Sequence, residues 1–140
     1  MINFKVKKLA GNARLPEKGN PKDAGIDIFT NESYTLRPGE THMFGTGIAV
    51  QIPTGYVALF WDRSGLGSKG IHRLAGVVDS SYRGEWKIVL TNLTKKKFEI
   101  KAGDKIVQCL IQTFEPVKIK EAKSLSDTAR GAKGFGSSGR

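Results

Sequence analysis

The stretch Tyr56-Val57-Ala58-Leu59-Phe60-Trp61 decides the fold class. It carries no charge and is rich in aromatic and β-branched residues. Pro53-Thr54-Gly55 precedes it and Asp62-Arg63-Ser64-Gly65-Leu66 follows, so turn-forming and polar residues bound it on both sides. A run this short fits a strand buried on both faces better than a helix. Residues 48–52, 86–93 and 106–114 have the same apolar character. Ile2/Phe4/Val6, Phe98/Ile100 and Val117/Ile119 alternate with polar neighbours, as strands with one wet face do. Turn chemistry in residues 16–21, Arg37-Pro38-Gly39 and Ala102-Gly103-Asp104 separates these segments. No segment sustains a 3.6-residue apolar period; the best helical stretch, residues 64–69, is weakened by Gly65 and Gly67. The pattern predicts an all-β chain folded as a jelly-roll-like β-barrel or sandwich.

A chain of 140 residues, 39% of them hydrophobic, is sized for one globular domain. Charge interleaves with apolar residues over positions 1–8, leaving no uninterrupted signal-peptide core, and residues 56–61 are too few to span a bilayer. The expectation is a soluble cytoplasmic protein without membrane association. A single cysteine, Cys109, excludes an internal disulfide, and with only His42 and His72 no Cys/His zinc set can be assembled. Any metal would need oxygen ligands. The net charge of +10 attracts anions, whether nucleic acid, a membrane surface or a phosphorylated small molecule, and charge alone does not choose among them. Residues 130–140 change character: five are glycine or alanine, two are serine, and only Phe135 is large. Such a segment cannot bury apolar area by itself. The expected division is a barrel domain over 1–129 and a glycine-rich arm over 130–140.

Five segments carry groups suited to chemistry on a nucleotide. Gly134-x-Gly136-x-x-Gly139 has the spacing of a dinucleotide turn but lacks the strand before it and the helix after it that such a turn requires. What remains is exposed main-chain N–H groups able to cradle phosphate, with Arg130, Lys133 and two serines beside them; a plain linker is the alternative. Asp62-Arg63-Ser64-Gly65-Leu66 emerges at a strand end, where an arginine fork and a hydroxyl suit phosphate oxygens, or where Ser64 simply caps a helix. Gly76-Val77-Val78-Asp79-Ser80-Ser81-Tyr82-Arg83-Gly84 reads as a hairpin with a functional tip. Asp79 there can act as general base for a water or stabilise an Asx-turn. Asp23-Ala24-Gly25-Ile26-Asp27 supplies carboxylates, and Mg²⁺ on a triphosphate is held by few of these, often through water. Gln108 interrupts an apolar strand and needs partners if buried, while Cys109 beside it reads as core.

Taken in order, Ala24-Gly25-Ile26-Asp27, Arg63-Ser64-Gly65-Leu66, Gly76 to Gly84, Gly103-Asp104-Lys105-Ile106-Val107-Gln108 and Arg130-Gly131 with Gly134 to Gly139 resemble the five blocks of the trimeric dUTP nucleotidohydrolases (dUTPases). That resemblance implies a jelly-roll homotrimer whose active sites are shared between subunits, hydrolysing dUTP to dUMP and pyrophosphate without need of nucleic acid. It implies that Asp79 orients the water attacking the α-phosphorus and that Tyr82 packs under deoxyribose. Main-chain groups of the Gly76 to Gly84 segment, Gly76 and Val78 among them, would read the uracil edge. Ser64 and Gln108, with Gly65 beside them, would hold the α- and β-phosphates, and Arg63 the γ-phosphate end. Asp27 would bond a water on Mg²⁺. Arg130, Gly136, Ser137 and Ser138 would bind the β/γ end while Phe135 stacks on uracil. Three positions depart from the family pattern: Asp62 and Lys133 stand where proline and glycine are usual, and the bulky pair His72-Arg73 precedes the third block.

Two other functions fit parts of this pattern. A related dCTP deaminase, or its bifunctional form, needs a glutamate in the strand after the third block, and residues 86–93 contain no carboxylate. A basic nucleic-acid or regulatory binding protein accounts for the charge but leaves the carboxylates and the glycine-rich arm without a role.

Overall fold

The computed structural model describes residues 2–137 and 139. Its elements run β1 (Lys5–Lys8), β2 (Ile26–Phe29), β3 (Tyr34–Leu36), β4 (Thr41–Gln51), β5 (Tyr56–Trp61), α1 (Ser64–Gly67), β6 (Ile71–Leu74), β7 (Val77–Asp79), β8 (Glu85–Asn92), β9 (Phe98–Ile100) and β10 (Lys105–Thr113). One sheet has the order β1-β4-β8-β6, a second the order β2-β10-β5-β7, and β3 with β9 forms a small ribbon. Every pairing is antiparallel. Each four-stranded sheet keeps two edges, so the barrel expected from the sequence is an open jelly-roll-like sandwich rather than a closed barrel.

Alternation decides what faces inward. Phe44, Ile48 and Val50 of β4, with Trp86, Ile88 and Leu90 of β8, meet Ala58 and Phe60 of β5, Ile28 of β2, and Val107 and Cys109 of β10. Trp86 is central: the rings of Phe4 and Phe60 meet it edge-on, with centroids 5.7 and 5.1 Å away. Burial pushes the Cys109 thiol up to about 12, so it is core and not a nucleophile.

Three sequence expectations change. β4 is eleven residues long, whereas only its apolar half reads as strand. Gly45 and Gly47 hide the rest: the pairing with β8 shifts register there, and Gly47 has φ +67. A Cβ on Gly47 would lie 2.8 Å from Asn31 Nδ2 and 2.9 Å from Ala13 Cβ. The segment from Gly76 to Gly84 is not a hairpin, because β7 pairs with β5 in one sheet while β8 pairs with β4 and β6 in the other. Finally, the Val117/Ile119 alternation forms no strand. Phe114 N–H donates to Gly55 O at 3.3 Å, and the described residues beyond it make only local hydrogen bonds. That stretch pairs with neither sheet of its own chain and leaves Ile119 92% exposed.

Asn92, fully buried at the end of β8, ties the ribbon to the sandwich. Its Nδ2 donates to Leu36 O and Lys96 O at 3.2 and 2.7 Å, and its Oδ1 accepts from Thr94 N and Oγ1 at 3.0 and 2.8 Å. Asn92→Ala strands two carbonyls and a main-chain donor and is expected to cost about 3 kcal/mol of unfolding free energy in a urea titration; an unchanged midpoint would show that water replaces the amide without loss.

Candidate active site

Strand register builds a polar cleft in which Arg63 and Lys105 stand with Asp23 and Asp27. Gln108 on β10 sits opposite Asp27 of β2 on one side and opposite Trp61 of β5 on the other. Directly opposed residues share a face, so Asp27 and Gln108 project from the outer surface while Ile26, Cys109 and Phe60 turn inward. The chain leaving Trp61 brings Asp62, Arg63 and α1 to the same end. Asp27, Arg63, Ser64, Gly65, Lys105 and Gln108 thus line one cleft.

Inside it, Asp27 holds two cations apart. Arg63 Nε donates to its Oδ1 at 2.9 Å, and Lys105 Nζ lies 2.8 Å from its Oδ2; the carboxylate side chain is 15% exposed. Gln108 Nε2 donates to Asp62 O at 2.8 Å. Its carbonyl lies where a side chain on Gly25 would go, with Oε1 only 2.5 Å from a Cβ placed there, so the glycine makes room for this amide. Ser64 is not a helix cap. Arg63 occupies that position in extended conformation without a side-chain cap, and among the described residues the Ser64 hydroxyl makes no hydrogen bond. Arg63 and Lys105 also wall a neighbouring basic recess with Arg14 and Lys69.

A second cleft lies along β7, lined by Gly76, Val78, Asp79 and Tyr82 with Met43 and Glu85. β7 is an edge strand, and Phe60 N–H donates to Gly76 O at 2.8 Å. By the alternation of an antiparallel ladder, the main-chain groups of Val78 face Ala58, while those of Val77 and Asp79 face the open edge. The Asp79 side chain stands on the outer face, opposite Val57. Among the described residues its carboxylate accepts no hydrogen bond and forms no ion pair, so the Asx-turn alternative does not materialise; the turn is closed by Tyr82 N–H donating to Asp79 O at 3.1 Å. The Tyr82 ring folds back over Gly84, and its hydroxyl donates to Glu85 O at 3.0 Å. β8 does begin with a carboxylate, Glu85, one residue before the stretch read as acid-free. Its Oε1 accepts from Gly47 N–H at 2.9 Å.

The arm forms its own recess, lined by Arg130, Lys133, Gly134, Phe135, Gly136 and Ser137. Arg130 Nε donates to Lys133 O at 3.0 Å, and Ser137 N–H to Gly134 O at 3.1 Å. Phe135 is fully exposed with φ +51. Ser138 lies outside the described residues. The residues singled out in the sequence therefore gather at three separate places. Lys105, within the fourth block, was not singled out in the sequence. A lysine at the start of an apolar strand reads as a solvated end, and only the register with β2 reveals its carboxylate partner.

A family model described as dUTPase matches residues 11–139. A deoxyuridine 5'-triphosphate nucleotidohydrolase of Clostridioides difficile is 40% identical over 142 aligned residues, covering 99% of each chain. One from Nautilia profundicola is 42% identical over 142 aligned residues, covering 99% of this chain and 100% of its own. Among solved structures, the dUTPase of Staphylococcus bacteriophage 80alpha with dUpNHpp superposes with a TM-score of 0.91 at 32% identity, over 99% of both chains. A variant dUTPase from phage phi11 of S. aureus, described with a structural Mg(II) ion, gives a TM-score of 0.82 at 30% identity, over 89% of this chain and 99% of that one.

Asp27→Ala removes a charge-assisted hydrogen bond from Arg63 and an ion pair with Lys105, and leaves the two cations repelling each other. Urea unfolding is expected to register a loss of about 2 kcal/mol; wild-type stability would mean that solvent screening, rather than Asp27, keeps the two cations together.

Proposed function

Because the chain belongs to the dUTPase family, we propose that it hydrolyses dUTP to dUMP and pyrophosphate, with Asp79 orienting the attacking water. The observation that carries this reading is the state of Asp79: a carboxylate on an open edge strand, without a hydrogen-bond or ion-pair partner among the described residues, beside a cleft along whose edge the main-chain groups of Val77 and Asp79 turn outward. Such a group can accept a hydrogen bond from water and aim the oxygen lone pair.

In this reading, Ser64, Gly65 and Gln108 bind the α- and β-phosphates, and Arg63, freed from or shared with Asp27, binds the γ end. Gly76 and Val78 belong to the strand segment that reads uracil, and Tyr82 underlies the sugar. The water oxygen bonds to the α-phosphorus as the bond to the bridging oxygen breaks in line. The proton passes towards Asp79, and pyrophosphate departs against Arg63, Lys105 and the arm donors Arg130, Gly136, Ser137 and Ser138. Phe135 covers the base.

Asp27 and Asp23 are the carboxylates in the phosphate cleft, and the described residues contain no cluster of three or more metal-ligating side chains. That donor set fits Mg²⁺ carried by the triphosphate, with Asp27 reaching a water of its shell, and does not fit a resident metal. The ion supplies neutralisation of the phosphate charge.

Geometry supports a site shared between chains. Asp79 opposes Val57, and Gln108 opposes Trp61. The two are thus separated by about 13 Å along β5 and about 10 Å across the sheet, whereas attack requires reacting atoms ~3–3.5 Å apart. One chain cannot close that gap without unfolding its sheet. In a homotrimer, Asp79 of one subunit meets phosphate held by a neighbour. The arm also suits this arrangement, since the described residues beyond Phe114 are not hydrogen-bonded to their own sandwich and a segment of that length reaches up to about 80 Å when extended.

Pyrophosphate release measured in parallel with dUTP, UTP, dTTP and dCTP is expected to appear with dUTP alone, and Asp79→Asn to lower its turnover by about 10²–10⁴-fold while substrate binding persists. Equal turnover of all four nucleotides, ammonia release from dCTP, or an active Asp79→Asn variant would each overturn the assignment.

A further inference from the structure

Asp62 is the residue whose place in the chemistry is not set by the reading above, and its surroundings give it one. Its main-chain carbonyl accepts the hydrogen bond from Gln108 Nε2 at 2.8 Å. Its carboxylate turns away from the phosphate cleft towards β6. There Oδ1 accepts Arg73 N–H at 2.8 Å, and Oδ2 lies 2.5 Å from His72 Nδ1. The side chain also backs α1, with Cβ 3.5 Å from where a Cβ on Gly67 would be.

Arg73 carries the connection onward. Its Nη1 donates to Ala75 O at 2.6 Å, and its guanidinium lies over the Trp61 ring, 5.1 Å from the centroid. Ala75 has φ +59, a left-handed conformation that a residue with a Cβ adopts only when held. The next residue, Gly76, has φ +111 and opens the edge strand, its carbonyl accepting Phe60 N–H. A continuous set of contacts therefore runs from Gln108, through both ends of Asp62, to Arg73 and the turn that launches β7.

We propose that Asp62 and Arg73 are positioning residues that lock the phosphate cleft and the base-reading edge strand of one chain into a single rigid unit. Proline at position 62, the usual residue in the family, fixes only its own φ and has no acceptor to offer β6. Asp62 fixes the same strand exit by accepting hydrogen bonds, and so extends its hold across β6 to Ala75. The carboxylate does not oppose the phosphates, because its oxygens are spent on Arg73 and His72. This inference rests on the proposed dUTP hydrolysis for its kinetic consequence but not for its structural one.

Amide hydrogen exchange and steady-state kinetics on Asp62→Ala and Asp62→Asn test the two consequences separately. Asp62→Ala is expected to speed exchange at Arg73 and at Val78, whose N–H faces Ala58 in the ladder, by about tenfold, the worth of a charge-assisted hydrogen bond. It is expected to raise KM for dUTP about tenfold with a smaller change in kcat, and to narrow the preference for dUTP over dTTP. Asparagine still offers Oδ1 to Arg73 N–H and an N–H to His72 Nδ1, so Asp62→Asn is expected to restore both readouts to near wild type. Arg73→Lys, which loses the planar fork onto Ala75, is expected to speed exchange at Val78 but not at Gln108. If Asp62→Ala leaves exchange unchanged, or if asparagine fails to rescue it, the positioning role is overturned whatever the kinetics. A wild-type protein inactive on dUTP would instead overturn the function proposed above, with the exchange result still deciding this one.

Discussion

The register of β10 between β2 and β5 is the constraint on which the remaining site geometry rests. Gln108 opposite both Asp27 and Trp61 places three distant parts of the chain in one row on the outer face of one sheet. A slip of one residue would turn Gln108 into the core and Cys109 out to solvent. The burial of Val107 and Cys109 against Ile28, Phe60 and Ala58 therefore fixes where the phosphate cleft lies, and the hydrophobic effect supplies the force that holds it. The same β5 that delivers Trp61 and Arg63 at one end carries Asp79 beside Val57 at the other.

Much of the fold was legible because most strands announce themselves by apolar runs between turn residues. The stretches around β5, β8 and β10 are of that kind. β2, β3, β6 and β7 are three or four residues long, each with Asp, Thr, His or Arg among its few apolar residues, and do not stand out as apolar runs. The glycine-rich half of β4 was obscured by residues that serve a bulge. The Gly76 to Gly84 segment reads locally as a hairpin because glycines bound it. Only tertiary pairing decides that its flanking strands belong to different sheets. Val117 and Ile119 carry a strand pattern that pairs with no strand of their own sandwich.

The chemistry divides similarly. Block order identifies Arg63, Ser64, Asp79 and Gln108 as a set, but their spacing along the chain hides that Asp27 is clasped by Arg63 and Lys105 and that the Asp79 carboxylate has no partner among the described residues. Both facts bear on the proposed mechanism. The clasped carboxylate keeps two cations poised at the cleft without collapse, and the free one is available to a water. Asp62, whose carboxylate by sequence alone sits among anion-binding groups, spends its charge on β6 instead. Local sequence ranks a side chain by type, whereas function depends on which hydrogen bonds are already taken.

The central claim is that a working site joins Asp79 of one chain to Gln108 of another. Refolding equal amounts of inactive Asp79→Asn and inactive Gln108→Ala proteins together tests it most directly. Random assembly of a trimer with shared sites leaves about one quarter of them with both residues intact. The account predicts recovery of roughly that fraction of wild-type dUTP turnover. Refolded mixtures that assemble into trimers yet stay as inactive as either parent would contradict it, and would place Asp79 and Gln108 at the same site within one chain.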